Sequence, residues 1–246
     1  MTGSACSVSP AEAPMPVLIA ADASTSMETV ALVRDGEVLA ERTTLRPRGA
    51  GTSILNVIDG LLVDSGLSLS AVDGFVCGLG PGSFTGLRIA VSTLKGLAFA
   101  TGRPIYGVRT AVAFAHAHPG QSVLVAIDAK RGEIFVDGTG LAAPVCCRPT
   151  ALAELLPERV SRIAFGDGAR FHAAVLASTL PGLSVPEVRA LHFPRAAFLT
   201  VGLDLTLPAD VSRLEPEYAR RSDAELNYPD GFRDGRAVPR QKLPKG

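Results

Sequence analysis

The segment Gly80–Arg88, GPGSFTGLR, restricts the fold of this chain more than any other stretch. It follows the apolar run Gly74–Leu79 and leads into Leu87–Ala100, where apolar residues recur at helical spacing. Gly80, Gly82 and Gly86 allow positive φ and close backbone approach, and Pro81 stiffens the turn. Ser83 and Thr85 can each cap a helix beginning near Gly86, a helix that Arg88 enters and Gly102 ends. An apolar strand, a glycine loop and a helix N-terminus suit an anion. No Lys-Ser or Lys-Thr closes the loop, so it is not a Walker A sequence. The residues alone leave two readings open, an anion cradle and a tight strand-to-helix junction packed on a neighbour.

The remaining pattern predicts an α/β chain. Val17–Ala21 reads as a buried strand ending at Asp22, followed by the polar turn Ala23–Ser26. Thr29–Arg34 and Glu37–Arg42, joined by Asp35-Gly36, read as a hairpin. Thr52 caps a helix running to about Ser65, with Gly66 after it. Ile105–Val108 is a further strand, and Thr110 caps a helix to about His116. The second half opens in the same order. Ser122–Ile127 ends in Asp128, Ala129–Gly132 turns, Glu133–Val136 is a strand, and Asp137-Gly138 reads as a hairpin turn. That echo predicts two lobes built from related units. Pro149–Leu156 and Arg170–Ser178 read as helices, Arg162–Phe165 as a strand, and Ala196–Leu205 as the last long helix. The expected division is a flexible extension 1–16, an N-lobe 17–109, a C-lobe 110–212 and a tail 213–246 that partly packs back on the N-lobe.

Composition excludes several functions. Lys+Arg and Asp+Glu both number 24, so the net charge is zero, whereas a protein that grips a phosphate backbone alone carries a basic excess. Cys6, Cys77, Cys146 and Cys147 have neither disulfide-scaffold nor metal-ligand spacing, and a reduced, cytoplasmic compartment fits them. The N-terminus lacks a basic n-region, and its apolar run is too short for a membrane span. His116, His118, His172 and His192 form no HExxH pair, and no nucleophile elbow is present.

Three groups of residues are candidates for function. Asp22, Ser24 and Thr25, with Asp128 in the second half, place carboxylates at the ends of corresponding strands. Across a cleft such oxygens could hold Mg²⁺, or each Asp could simply close its own turn. Gly166 and Gly168 flank Asp167 and could admit an adenine or a ribose, or serve only a turn. Ile54, Ile58 and Leu61 on one helix, and Leu87, Ala90, Val91, Leu94 and Leu97 on the next, are candidates for partner binding. An ordinary core helix is the competing reading.

Four blocks, LIAADASTSMETVALVRDG, GPGSFTGLRIAVSTLKGLA, VAIDAKRGEIFV and LEPEYARR, resemble the TsaB (YeaZ) family in order and spacing. The resemblance implies a two-lobed ASKHA (actin-like ATPase, RNase H-like) fold. It implies a non-catalytic scaffold that activates the catalytic paralogue TsaD, alongside the ATPase TsaE. That machinery forms N6-threonylcarbamoyladenosine at position 37 of tRNAs reading ANN codons. It further implies a helix-pair interface with TsaD, self-association through the same face, contact with tRNA through the complex, and no cofactor beyond weak ATP or ADP-Mg binding at the complex interface. The H-x-x-x-H metal pair of TsaD-like members is absent from PRGAGTSILNVI, and Ala50 stands where relatives often carry a single His. Two other readings follow from the superfamily: an ATP-dependent phosphotransferase using Asp22 and Asp128 with Mg-ATP, and a glycoprotease-type metalloprotease, whose metal pair is missing.

Overall fold

The computed structural model describes residues 16–46, 54–156 and 162–220, with the backbone of Phe232–Arg233 and Arg236–Ala237, which pair as a short ladder. The expectations for the extension before Pro16, for Ala50 and Thr52, and for the tail after Arg220 lie outside the described side chains.

Short apolar runs in the first part of the chain, buried on both faces, produce a sheet. Strands β1 (Val17–Asp22), β2 (Met27–Arg34), β3 (Glu37–Leu45), β4 (Gly74–Gly78) and β5 (Ile105–Val108) lie in the order β3-β2-β1-β4-β5. β1, β2 and β3 pair antiparallel, while β4 and β5 continue parallel to β1. The Asp35-Gly36 turn forms as expected, with φ of 51° and 76°. A second sheet holds β6 (Val123–Lys130), β7 (Glu133–Gly138), β8 (Val145–Cys147), β9 (Arg162–Phe165) and β10 (Leu183–Ser184). Its order is β10-β9-β6-β7-β8, again with an antiparallel trio and two parallel strands. Each strand of the first sheet thus has a counterpart in the second. The duplication extends beyond the expected strand-turn-strand unit to the whole sheet, and the fold is the two-lobed α/β ASKHA architecture.

Both faces of each sheet are covered. Ile19, Ala21, Val30, Leu32, Phe75 and Cys77 point to α1 (Ile54–Asp64) and α2 (Phe84–Thr101). Their neighbours Leu18, Ala20, Ala31, Val33 and Val76 meet Ala113 of α3 (Thr110–Ala117) and Ala196, Ala197 and Leu199. Burying each larger side chain contributes about 1.5–3 kcal/mol. In the second lobe Leu124, Ala126, Ile134 and Val136 pack on α4 (Leu152–Leu155), α5 (Asp167–Phe171) and α6 (Ala173–Thr179). On the other face Val123, Val125, Ile127 and Phe165 meet Ala111 and Phe114 of α3. Helix α3 is therefore a wall shared by both sheets.

Several local expectations change. Asp137-Gly138 is not a turn: both residues lie in β7, opposite Val125 and Leu124, and the chain turns after them at Thr139-Gly140. Buried Asp137 accepts from Gly138 N at 2.8 Å and from Arg109 Nη1 at 3.2 Å, an inward-facing role that a hairpin turn could not supply. β6 runs on through Asp128 to Lys130, and the turn forms at Arg131-Gly132. The helix expected over Arg170–Ser178 is split between α5 and α6 at His172. Ala196–Leu205 is a single 3₁₀ segment, Ala196–Thr200, not a long helix. Ala196 N donates to Thr29 Oγ1 and Ala197 N to Glu41 Oε1, and Gly202 breaks the run at φ 68°. From Ala196 onward the chain lies on the first sheet, where Ala209 N donates to Ile105 O and Leu214 enters the core.

Candidate functional site

The glycine loop is a junction shaped around the turn after β1. Ser83 is the N-cap of α2, its Oγ accepting from Gly86 N at 3.3 Å. The helix thus begins at Phe84, ahead of the expected Gly86, and Thr85 sits exposed in its first turn instead of capping it. A Cβ on Gly78 would strike the Asp22 carboxylate, one on Gly82 the Ser24 carbonyl, and one on Gly86 the Ala23 carbonyl. Gly82 and Gly86 are needed for contact between two backbones, and Gly78 makes room for the Asp22 side chain. Gly80 sits at φ 101° and its carbonyl accepts from Thr110 N at 2.9 Å, while Pro81 is buried beside it. Arg46 fastens the assembly by donating to Ala23 O, Thr25 O and Ser83 Oγ. Arg88 points outward, its guanidinium 3.8 Å above the Phe84 ring and its Nε donating to Tyr218 OH.

The two candidate carboxylates differ. Asp22 is fully buried, accepting from Thr110 Oγ1 at 2.5 Å and from Ser24 N at 2.8 Å. Burial lifts its carboxyl above the usual range, against the pull of those hydrogen bonds. Thr110 is thus a partner of Asp22, and Arg109 occupies the N-cap position expected for it. Asp128 lies nearer the surface and accepts from Lys130 N at 2.8 Å and from Lys130 Nζ. Burial pushes it upward, but the Lys130 hydrogen bonds and charge, with His172, hold it below the ordinary carboxylate range. Asp167, missed as a site residue, accepts from Asp128 N at 3.0 Å, and burial raises its own carboxyl. The Gly166-Asp167-Gly168 sequence was the available signal.

A cleft of about 270 Å³ opens between the lobes. Ser24, Thr25, Gly82, Ser83 and Thr85 line one side, and Asp128, Lys130, Phe135 and Asp167 the other, with Arg46 and Arg220 at its walls. Asp22 is not on its wall, so the two carboxylates expected to share a cation do not face each other there. Gly166 and Gly168 serve close packing: a Cβ on either would meet the Ala126–Asp128 backbone. Among the described residues no three His, Cys, Asp or Glu side chains converge as metal ligands.

The partner-binding candidates are core residues. Ile54, Ile58, Leu61, Leu87, Ala90, Val91 and Leu94 are each at most 4% exposed, and Leu97 is half-buried. Their helical spacing marks the side that faces the sheet. The outward side carries Leu55 and Val63 of α1, 47% and 72% exposed, and Phe99 of α2 at 84%. Periodicity could not select Val63 and Phe99 because they interrupt the apolar stripe. Their signal is a large apolar residue out of phase with it.

Comparisons with known proteins agree with this architecture. The family model "TsaD: tRNA N6-adenosine threonylcarbamoyltransferase" matches residues 48–142. The chain is 39% identical over 127 residues to the tRNA threonylcarbamoyladenosine biosynthesis protein TsaB of Haemophilus influenzae, a match covering 48% of this chain and 51% of that protein. It thus spans about half the length of that curated relative. An uncharacterized protein of Mycobacterium tuberculosis is 32% identical over 215 residues, 85% of this chain and 93% of that one. The solved structure of YeaZ from Pseudomonas aeruginosa is similar with a TM-score of 0.66 at 26% identity, covering 83% of this chain and all of that one. Among the described residues no helix is long and apolar enough to cross a membrane.

Proposed function

The chain belongs to the TsaB family, and from that premise we propose that it is a cytoplasmic scaffold subunit for tRNA threonylcarbamoyladenosine biosynthesis, docking a TsaD-type catalytic subunit. The name of the Haemophilus relative places that protein in this pathway. The observation that carries the scaffold reading is the outward side of α1 and α2, where Leu55, Val63 and Phe99 leave large apolar side chains in solvent. Apolar anchors of this kind dominate binding when a partner covers them. In this reading the chain meets a TsaE-type ATPase and tRNA only through the complex, and it pairs with a second copy through the same side when the partner is absent.

The phosphotransferase reading has less support. Asp22 is buried off the cleft wall against Gly78 and held by Ser24 N and Thr110 Oγ1, and Asp128 is held by Lys130. A shared Mg²⁺ would require both carboxylates to be released.

The test is co-purification with the TsaD-type subunit of the same organism. Phe99→Glu and Val63→Glu should each abolish the complex and leave the melting temperature within a few degrees of the parent, since exposed substitutions shift stability by about 0.5 kcal/mol or less. Survival of the complex in both variants would refute docking through α1 and α2. Ala90 and Leu94 are unsuitable probes because both are fully buried.

A further inference from the structure

The stretch Leu214–Arg220 touches both lobes. On the first lobe, Leu214 is buried in the core beside Leu79 and Gly107, and its carbonyl accepts from Lys95 Nζ of α2 at 2.9 Å. Glu217 N donates to Leu79 O at 2.8 Å, just before the glycine loop. The Tyr218 ring lies 5.0 Å from that of Phe84, and Tyr218 OH accepts from Arg88 Nε at 2.9 Å. Two residues later the chain reaches the second lobe. Arg220 Nη1 donates to Glu133 Oε2 on β7 at 2.6 Å, and its guanidinium lies 5.5 Å from the centre of the Phe135 ring. Phe84, Phe135 and Arg220 all line the interlobe cleft.

The covalent passages between the lobes run elsewhere. The chain leaves the first lobe at Arg109-Thr110 and returns at Ala196, and none of these residues lines the cleft. The stretch from Leu214 is therefore a third connection, non-covalent at its far end and placed on the cleft itself. Its two anchors differ in chemistry. The Arg220–Glu133 pair has side chains only 19% and 34% exposed, so water screens it less than a surface pair. The Tyr218 anchor combines aromatic contact with a hydrogen bond from an arginine.

We propose that Leu214–Arg220 is a clasp across the interlobe cleft, holding the lobes at their observed separation, and that the cleft opens when either anchor is released. This does not depend on which partner covers α1 and α2.

Amide hydrogen exchange on the full chain tests it. Arg220→Glu should accelerate exchange about tenfold in the cleft-lining segments 24–26, 82–85 and 128–130, leaving the fully buried strand β1 protected. Glu133→Arg should do the same, and the double variant Arg220→Glu/Glu133→Arg should restore slow exchange. Tyr218→Ala should reproduce the open pattern from the opposite anchor. Unchanged exchange in folded Arg220→Glu would overturn the clasp, as would a double variant that fails to recover, or a silent Tyr218→Ala. If Arg220→Glu loses protection in β1, Arg220→Gln replaces it and is judged by the same segments.

Discussion

In the first lobe the central strand ends at Asp22, which is dehydrated, held by Thr110 Oγ1, and raised in pKa by burial. In the second lobe the corresponding strand reaches Asp128, which stays at the cleft wall, is held by Lys130, and is lowered. The sheets around them share strand order and direction. The difference arises beyond the fifth strand of each sheet. After β5 the chain forms α3, whose first residue supplies the hydroxyl that closes over Asp22. After β10 the corresponding segment runs to the first sheet, ending as the 3₁₀ segment Ala196–Thr200. Asp128 therefore takes its donors from its own turn, through Lys130. A repeated topology thus yields one sealed position and one open position.

Substitutions in matched pairs can break this comparison. The largest effect is expected in the cores. Leu94→Ala in α2 should cost about 4 kcal/mol by urea denaturation, and Leu176→Ala in α6 about 2–3 kcal/mol, because the shorter helix can relax into the space. Equal losses would mean that the second lobe is packed as rigidly as the first. Next come the glycine junctions. Gly82→Ala should cost about 3 kcal/mol, as its Cβ meets Ser24 backbone, and Gly168→Ala about 1–2 kcal/mol, where the nearest backbone atoms of Asp128 and Ile127 lie 2.7 Å away. A larger loss at Gly168 would reverse the ranking.

The smallest effect has the most specific sign. Asp22 has a raised native pKa, so its contribution to stability is fully present below the ordinary carboxylate value and is lost as pH rises through the native one. Asp128 has a lowered native pKa, so its contribution is present above the ordinary value and is lost as pH falls through the native one. Melting temperatures between about pH 3 and pH 8 should therefore show the advantage of the parent over Asp22→Asn shrinking as pH rises. Its advantage over Asp128→Asn should grow. Parallel slopes would show that the two environments do not differ in the way described.

Most strands could be read from short apolar runs, and the antiparallel opening from Asp35-Gly36, whereas the parallel pairs could not. The same two letters at Asp137-Gly138 misled because dipeptide signals report local turn preference, whereas Asp137 is drawn inward to Arg109, a partner far away in sequence. Ala196–Leu205 misled for a related reason. Its apolar character suited a helix, but the hydrogen-bond partners of Ala196 and Ala197 lie on β2 and β3. The site was half legible. Asp128 lies on the cleft wall, but Gly166 and Gly168 pack on the Ala126–Asp128 backbone, and the burial of Asp22 depends on Thr110, which sequence assigns to a cap. For the helix pair, periodicity recovers the buried stripe by construction, so it identified the core and passed over Phe99.

The sheet face covered by Ala196–Leu199 has consequences for synthesis. All five strands of the first sheet have been made once Val108 has been added, yet Ala196, Ala197 and Leu199, which together with Ala113 of α3 dry one face of it next to Leu18, Ala31 and Val76, come about ninety positions later. At a ribosomal rate of roughly 5–20 residues per second, that face waits several seconds for its cover. During that interval the nascent first lobe presents a greasy sheet surface, the kind that chaperones hold and that drives aggregation when they are scarce. A fragment ending near residue 109 would remain in that state permanently. Expression of the first lobe alone is therefore a poor route to a soluble protein, despite its complete set of strands.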